Sequence, residues 1–312
     1  MVTRLAPTPS GYLHEGNWFS FLITLGLVHR NGGSCYWRMD DLDSPRFRQS
    51  YLDDILNTLR LLDPTPEGPS KPSMSPDRPS LPRKQIIFQS QRIDLYQDAL
   101  NNLRTCGRLY PSRASRSEPQ KRLQDRENLS GPAWDKAMED PGASWWMRVE
   151  PTDQVQILQW ESPWEENTYS IQNLTTPADY CIRRKAYPET ENPEASRPLP
   201  TYHLASLVDD RLLGTTHGVR GMDLLESTAV QAHLNQFLKG SEQNAFEQIK
   251  WVHHPLFYNN EGIKLSKSAG SRSRPLLADK TIPQILEYLY QNAPPLWLGL
   301  LEAQAHRINA IP

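Results

Sequence analysis

The chain has 312 residues, 38% hydrophobic and 22% charged, with a formal net charge of −2. That size and composition support a packed core, and the near-balanced charge excludes a protein that is basic or acidic throughout. The longest apolar run, Trp18 to Val28, is too short to cross a bilayer and is interrupted by Ser20 and Thr24. No charged-then-apolar start reads as a signal peptide, and the three spaced cysteines, Cys35, Cys106 and Cys181, fit free thiols in a reducing compartment. The expected setting is the cytoplasm, with no membrane partner.

Residues 1 to 6 read as a short buried strand, with Val2, Leu5 and Ala6 apolar, broken into a tight loop by Pro7, Pro9 and Gly11. Trp18 to Val28 reads as a buried helix, with Asn17 near its N-cap and a stop at Asn31-Gly32-Gly33. A helix N-terminus presents unpaired N–H groups and seats a phosphate. His14 lies one turn before it, and Gly16 lets a base or ribose approach the backbone. Ser34 to Met39 reads as a strand running into the acidic loop RMDDLD, and Arg46 to Leu62 as an amphipathic helix with Tyr51, Ile55, Leu59 and Leu62 on one face. Residues 63 to 82 hold seven prolines and read as an extended loop.

Leu95 to Leu109 looks helical. Between Arg104 and Arg126, seven basic residues face two acidic ones, Glu118 and Asp125. Such a cluster tracks phosphates or forms a solvated surface helix. Trp145 to Val149 and Gln154 to Leu158 look like strands. A Pro- and Glu-rich loop, Tyr187 to Pro200, precedes a strand–turn–helix unit from Thr201 to Phe237. The segment KLSKS, Lys264 to Ser268, puts two lysines on a short loop, and Thr281 to Gln291 reads as a short terminal helix. No internal repeat is visible.

RLAPTPSGYLHEGN, from Arg4, and KLSKS together resemble the HIGH and KMSKS motifs of class I aminoacyl-tRNA synthetases. RLAPTPSG is similar to the RFAPSPTG opening of the glutamyl branch. RMDDLD and TYHLASLVDDRLLGTTHGVRGMDLLEST, Thr201 to Thr228, match that branch in order. Only 44 residues follow Ser268, too few for the helical anticodon-binding region of a full glutamyl-tRNA synthetase. The resemblance is therefore to the shortened paralogues that attach glutamate to queuosine in tRNA(Asp).

The implied fold is α/β: a Rossmann-like class I synthetase sheet with an inserted α+β domain and a short C-terminal helical region. The expected division is a catalytic domain from 1–88 and 199–240, an inserted acceptor- or tRNA-contacting domain at 89–198, and the KLSKS loop with a small helical region at 241–312. No anticodon-binding domain is expected. Ligands of such sheets sit beyond the carboxyl ends of the strands.

The implied reaction is attack of a carboxylate on the α-phosphate of ATP, which demands alignment and charge neutralisation rather than covalent catalysis. His14, Lys264 and Lys267 are the catalytic candidates, with Lys267 favoured by resemblance. His14 needs no general-base role, because a carboxylate is already ionised at neutral pH. ATP is expected against His14, Gly16, Asn17, Asp223, Lys264, Ser266 and Lys267, with Asp223 equally readable as a helix N-cap. Glutamate is expected against Arg4, Ala6, Thr8, Asp40, Tyr202 and Arg220. An arginine fork suits the γ-carboxylate, and a carboxylate suits the α-ammonium.

Four positions depart from the family pattern. Asp40 stands where RIEDTD has Glu, one methylene shorter. Asn17 replaces the second histidine of HIGH. Ser112 and Ala114 stand where relatives carry a Cys-x-Cys pair, so no structural zinc is expected. The cofactor expected is ATP with Mg²⁺, the partners are glutamate and a tRNA, tRNA(Asp) first, and the expected state is a monomer. Ordinary charging of a tRNA 3′ end, a nucleotidyltransferase outside tRNA biology and a non-catalytic RNA-binding paralogue remain as alternatives.

Overall fold

The computed structural model describes residues 1–42, 44–63, 74–75, 78–79, 86–115, 117–128, 131–162, 168–175, 177–186, 197–240, 246–257 and 273–309. The KLSKS loop, with Lys264, Ser266 and Lys267, lies outside the described residues. So do most of the Pro-rich segment 63–82 and residues 187–196 of the second one.

The chain begins β1 (Val2–Leu5), α1 (Glu15–Asn31), β2 (Ser34–Met39) and α2 (Gln49–Leu62). Two-residue strands β3 (Met74–Ser75) and β4 (Arg78–Pro79) pair with each other before β5 (Ile86–Phe88). Next come α3 (Ile93–Leu103), β6 (Leu109–Ser112), α4 (Pro119–Asn128), α5 (Gly131–Glu139) and β7 (Ser144–Met147). The strands β8 (Val155–Trp160), β9 (Tyr169–Leu174), β10 (Tyr180–Arg184) and β11 (Leu199–Pro200) lead to α6 (Tyr202–Leu212). The chain closes with β12 (His217–Gly221), α7 (Leu225–Asn235), β13 (Lys250–His254), α8 (Ile282–Asn292) and α9 (Pro295–Asn309).

β1, β2 and β5 pair in parallel, in the order β1-β2-β5. A second sheet has the order β12-β13-β8-β9, parallel except for β9. The two meet where the Thr216 N–H donates to the Val2 carbonyl at 2.9 Å and the Val2 N–H donates to Thr216 Oγ1 at 2.8 Å. From β1, the early strands run outward on one side and β12 and β13 on the other. This reversal of strand order is where open α/β sheets bind ligands. A separate antiparallel sheet, β11-β10-β7-β6, comes from the middle of the chain.

α1 is apolar on every side, with Trp18, Phe19, Leu22, Ile23, Leu25 and Leu27 all buried. Such a helix is internal rather than amphipathic. It ends at Gly32, whose φ of +60° is a left-handed cap that glycine adopts without strain. On one side α1 packs against α9 so closely that a Cβ on Gly26 would sit 3.2 Å from Leu300 Cβ. The core divides into two apolar clusters. One joins α1, β1, β2, α2, α8 and α9; the other joins α3, the antiparallel sheet, α6, α7 and Trp251 of β13.

Several boundaries differ from the sequence expectation. α1 begins at Glu15, with His14 as its cap, so Asn17 occupies the third helical position. The helix expected from 95 to 109 stops at Leu103, and Leu109–Ser112 turns into a strand. The Thr201–Phe237 unit is helix–strand–helix, because Thr201 caps α6 directly. Pro294-Pro295 starts α9 rather than ending the structure, since proline fits the first helical turn. β8 and β9, drawn from inside 89–198, extend the β12-β13 sheet. Among the described residues no helix is long and apolar enough to cross a membrane.

Candidate active site

A cleft of about 560 Å³ opens at the carboxyl ends of β1, β2, β12 and β13. Arg4, Ala6, Thr8, His14, Gly16, Asn17, Asp40, Tyr202, Arg220 and Asp223 all line it. Every candidate residue within the described chain is thus gathered at one place.

One end of the cleft is built on the start of α1. The Asn17 side chain accepts from the His14 N–H at 3.1 Å, and the His14 carbonyl accepts from the Asn17 and Trp18 N–H groups. Asp54 reaches across from α2 to accept the Leu13 N–H at 3.0 Å, fixing the turn that carries His14. A Cβ on Gly16 would lie 3.1 Å from the His14 ring. The histidine's own imidazole occupies that side of Gly16, which gives the glycine a reason the sequence did not supply. Asp223 sits in a 3-10 turn, Met222–Leu224, and the cap of α7 is Leu224, so Asp223 is not the α7 cap. A Cβ on Gly221 would strike Asp223 Oδ1 at 2.5 Å, so the glycine clears room for that carboxylate.

The other end is a buried charge network that the motif reading only half anticipated. Arg4 donates to Asp210 through Nε at 2.8 Å and Nη2 at 3.3 Å. Arg38 grips Asp40 with Nε at 2.6 Å and Nη2 at 3.2 Å, and reaches Asp210 with Nη1 at 3.0 Å. Asp209 accepts from Gln89, Arg92 and Tyr96. Arg38, Asp209 and Asp210 were not among the expected site residues. For the two aspartates the signal was present: they follow the otherwise apolar run LASLV, ahead of Arg211.

Burial pushes the Asp40 carboxyl up to about 6 although Arg38 pulls the other way. Burial also acts to raise Asp210, but Arg4 and Arg38 outweigh it and hold that carboxyl below its usual range. Asp40 is therefore already engaged by Arg38, with lone pairs left for a further donor.

Arg220 behaves differently. It is 4% exposed and lies over the Trp251 ring, 4.2 Å from its centre. Nη1 donates to Gln231 Oε1 at 2.8 Å and to Thr228 Oγ1 at 3.2 Å. Nε and Nη2 have no hydrogen-bond partner among the described residues, and Asp210 Oδ2 stands 3.9 Å from Nη2. Its neighbouring carboxylate is Asp210. Burial lowers this guanidinium to about 10. Four guanidiniums, Arg4, Arg38, Arg92 and Arg220, thus surround three carboxylates, Asp40, Asp209 and Asp210. The excess of one positive charge sits on Arg220 and suits an anionic ligand.

The basic segment 104–126 is largely compensated. Arg104 pairs with Glu139, Arg108 with Asp153, Arg113 with Asp140, and Arg126 with Asp179. Lys121 pairs with Glu118, and Arg122 stacks 4.3 Å from the Trp146 ring centre. At the position of the expected thiols, the Ser112 hydroxyl donates to Asp125 at 2.6 Å and accepts from the Ala114 N–H. That corner is held by hydrogen bonds.

The reversed parallel sheet with the His14 turn at its crevice defines a class I synthetase catalytic fold. Residues 1–283 match the family of class I tRNA synthetases (E and Q), catalytic domain. The chain is 30% identical over 329 aligned positions to a glutamyl-Q tRNA(Asp) synthetase of Cupriavidus metallidurans, covering 99% of this chain and 92% of that protein. It is 31% identical over 288 positions to another of that name from Burkholderia cenocepacia, covering 90% and 84%. A solved glutamate tRNA ligase of Elizabethkingia meningosepticum, in complex with its amino acid, shares the fold at a TM-score of 0.59 and 21% identity. That likeness covers 86% of this chain and 52% of the other. The chain belongs to the class I (E and Q) tRNA synthetase catalytic-domain family, alongside the glutamyl-Q tRNA(Asp) synthetases.

Proposed function

We propose that the protein joins glutamate to ATP, forming glutamyl-adenylate and pyrophosphate, and transfers the glutamyl group to the queuosine base of tRNA(Asp). The observation that supports it most is the Arg220 fork, whose Nε and Nη2 make no hydrogen bond among the described residues, in a cleft shared with the His14 turn.

Arg220 takes the γ-carboxylate, and Asp40, steadied by Arg38, takes the α-ammonium. Arg4, held by Asp210, adds positive charge beside them. Ala6, Thr8 and Tyr202 complete the pocket walls. An α-carboxylate oxygen then forms a bond to the α-phosphorus while the bond to the β-phosphate oxygen breaks and pyrophosphate leaves. His14 and the start of α1 steady the phosphate oxygens. From the sequence motif, Lys264 and Lys267 follow the charge onto the leaving group, beside Ser266. In the second step the acyl carbon bonds to its acceptor on the tRNA and AMP leaves.

ATP is assigned to Gly16, Asn17 and Asp223 along the same wall. Mg²⁺ is assigned to phosphate oxygens and water; among the described residues no three metal-ligating side chains converge. The proposed acting unit is a cytoplasmic monomer, with 1–88 and 199–240 as the catalytic portion, 89–198 facing RNA, and 241–312 bearing the KLSKS loop. Glutamate-dependent exchange of labelled pyrophosphate into ATP tests the first step. Lys267→Ala is expected to abolish it while unfolding stays cooperative, and retained exchange would remove Lys267 from the site.

A further inference from the structure

The side of Arg220 turned away from the cleft is braced without a carboxylate. Its Nη1 donates to Gln231 Oε1 at 2.8 Å and to Thr228 Oγ1 at 3.2 Å. Thr228 Oγ1 is 2.9 Å from His253 Nε2, and His253 Nδ1 is 3.1 Å from Gln159 Oε1. Thr228 also donates to the Leu224 carbonyl at 3.0 Å, and Arg220 donates to Thr228, so hydroxyl, imidazole and amide are linked side by side behind the guanidinium. Every member behind the guanidinium is neutral: Gln231, Thr228, a His253 held uncharged by burial, and Gln159. The Trp251 ring supplies the floor. Gln231, Thr228 and His253 are all buried.

A buried arginine is ordinarily balanced by a carboxylate. Here the nearby cations show what that looks like: Arg4 and Arg38 each grip an aspartate through two nitrogens. Arg220 alone among the three is aimed by amide and hydroxyl oxygens. An amide oxygen fixes the direction of an N–H as a carboxylate does, but leaves the formal charge in place.

We infer that Gln231 is a positioning residue that sets substrate charge selectivity: it aims the Arg220 fork while leaving its positive charge for the side-chain carboxylate of the amino acid. This rests on the proposed glutamate site and deepens it. A carboxylate at position 231 would neutralise the fork from behind. The buried cluster around Arg220 would then lose its one excess positive charge, and the fork its reason to prefer glutamate over glutamine.

The test compares the native protein with Gln231→Glu and with Gln231→Met, which removes the oxygen without adding charge. Labelled glutamate and glutamine are offered separately in equilibrium dialysis, and both are followed in pyrophosphate exchange. For Gln231→Glu, glutamate KM and Kd should rise about tenfold to a hundredfold, the worth of a charged hydrogen bond. The KM for ATP should stay within about twofold, and the preference for glutamate over glutamine should fall by the same factor as glutamate binding. Gln231→Met should weaken glutamate while keeping most of that preference.

An unchanged preference in Gln231→Glu, or parallel losses for ATP and glutamate in both variants, would overturn the inference. Native protein that binds glutamate without exchanging pyrophosphate would count against the proposed reaction alone. Native protein that does not bind glutamate would sink both.

Discussion

Replacing Arg220 with methionine should separate binding from stability. The guanidinium is buried, and its lowering from 12.5 to about 10 means that its charged form costs about 3 kcal/mol in the folded state. Methionine removes that cost. Against it stand an orphaned Gln231 Oε1, worth about 1–3 kcal/mol, and the lost cation–ring contact with Trp251, about 1–2 kcal/mol. These nearly cancel, so Arg220→Met should unfold within about 2 kcal/mol of the native protein. Glutamate binding should respond far more. Nε and Nη2 are the two bare donors, and two charge-assisted hydrogen bonds are worth about 3–6 kcal/mol together. Glutamate KM should rise at least about a hundredfold while the KM for ATP hardly moves. Urea unfolding and pyrophosphate exchange on the same preparation read both. Destabilisation beyond about 4 kcal/mol with equal losses for ATP and glutamate would show that Arg220 is a structural keystone, and the pocket assignment would fall.

Asp40 rises to about 6 through burial, so protonation should disarm the α-ammonium site in mild acid. Glutamate KM is expected to climb as pH drops through about 6, with ATP KM flat; a flat glutamate profile between pH 5 and 7.5 would remove Asp40 from that role. His253 and His254 move the opposite way, down to about 3 and about 4, chiefly by burial. A depressed histidine contributes stability that is present above its unfolded value of 6.5 and lost as pH falls through its folded value. Asp40, being raised, is most favourable to folding below 3.8 and loses that contribution as pH rises through about 6, so it offsets part of the histidine effect. Urea midpoints should therefore fall from pH 7.5 to pH 4, and His254→Gln should flatten that slope. Finally, a Cβ on Gly218 would strike the Trp251 ring at 2.3 Å. Gly218→Ala should lower stability by about 1–3 kcal/mol and raise glutamate KM by tilting the floor under Arg220; wild-type values for both would show that the ring shifts without consequence.

The first half of the catalytic unit was legible because its pattern is unambiguous. β1, α1, β2 and α2 alternate apolar runs with proline and glycine breaks, and each of those elements is present. α6 was misread for a physical reason. Asp209, Asp210 and Arg211 are buried in it, so ion pairing replaces the polar face that would mark a helix. The same residues concealed the charge hub: a sequence shows that Arg4, Arg38 and Arg220 exist, but not that two are hydrogen-bonded to aspartates and one is not. Partner choice was equally hidden. Gln154 to Leu158 looks like a strand, yet nothing in it says that Leu158 pairs with Lys250. The basic run of 104–126 carried a charge count that ignored Glu139, Asp140, Asp153 and Asp179, which folding brings to it.

The most direct measurement is ATP-dependent transfer of labelled glutamate onto two purified tRNA(Asp) pools, one with queuosine and one without. The proposed function predicts label on the queuosine pool alone, present with native protein and lost with Arg220→Met. Label on neither pool, or label appearing instead at the 3′ end of tRNA(Glu), would contradict it.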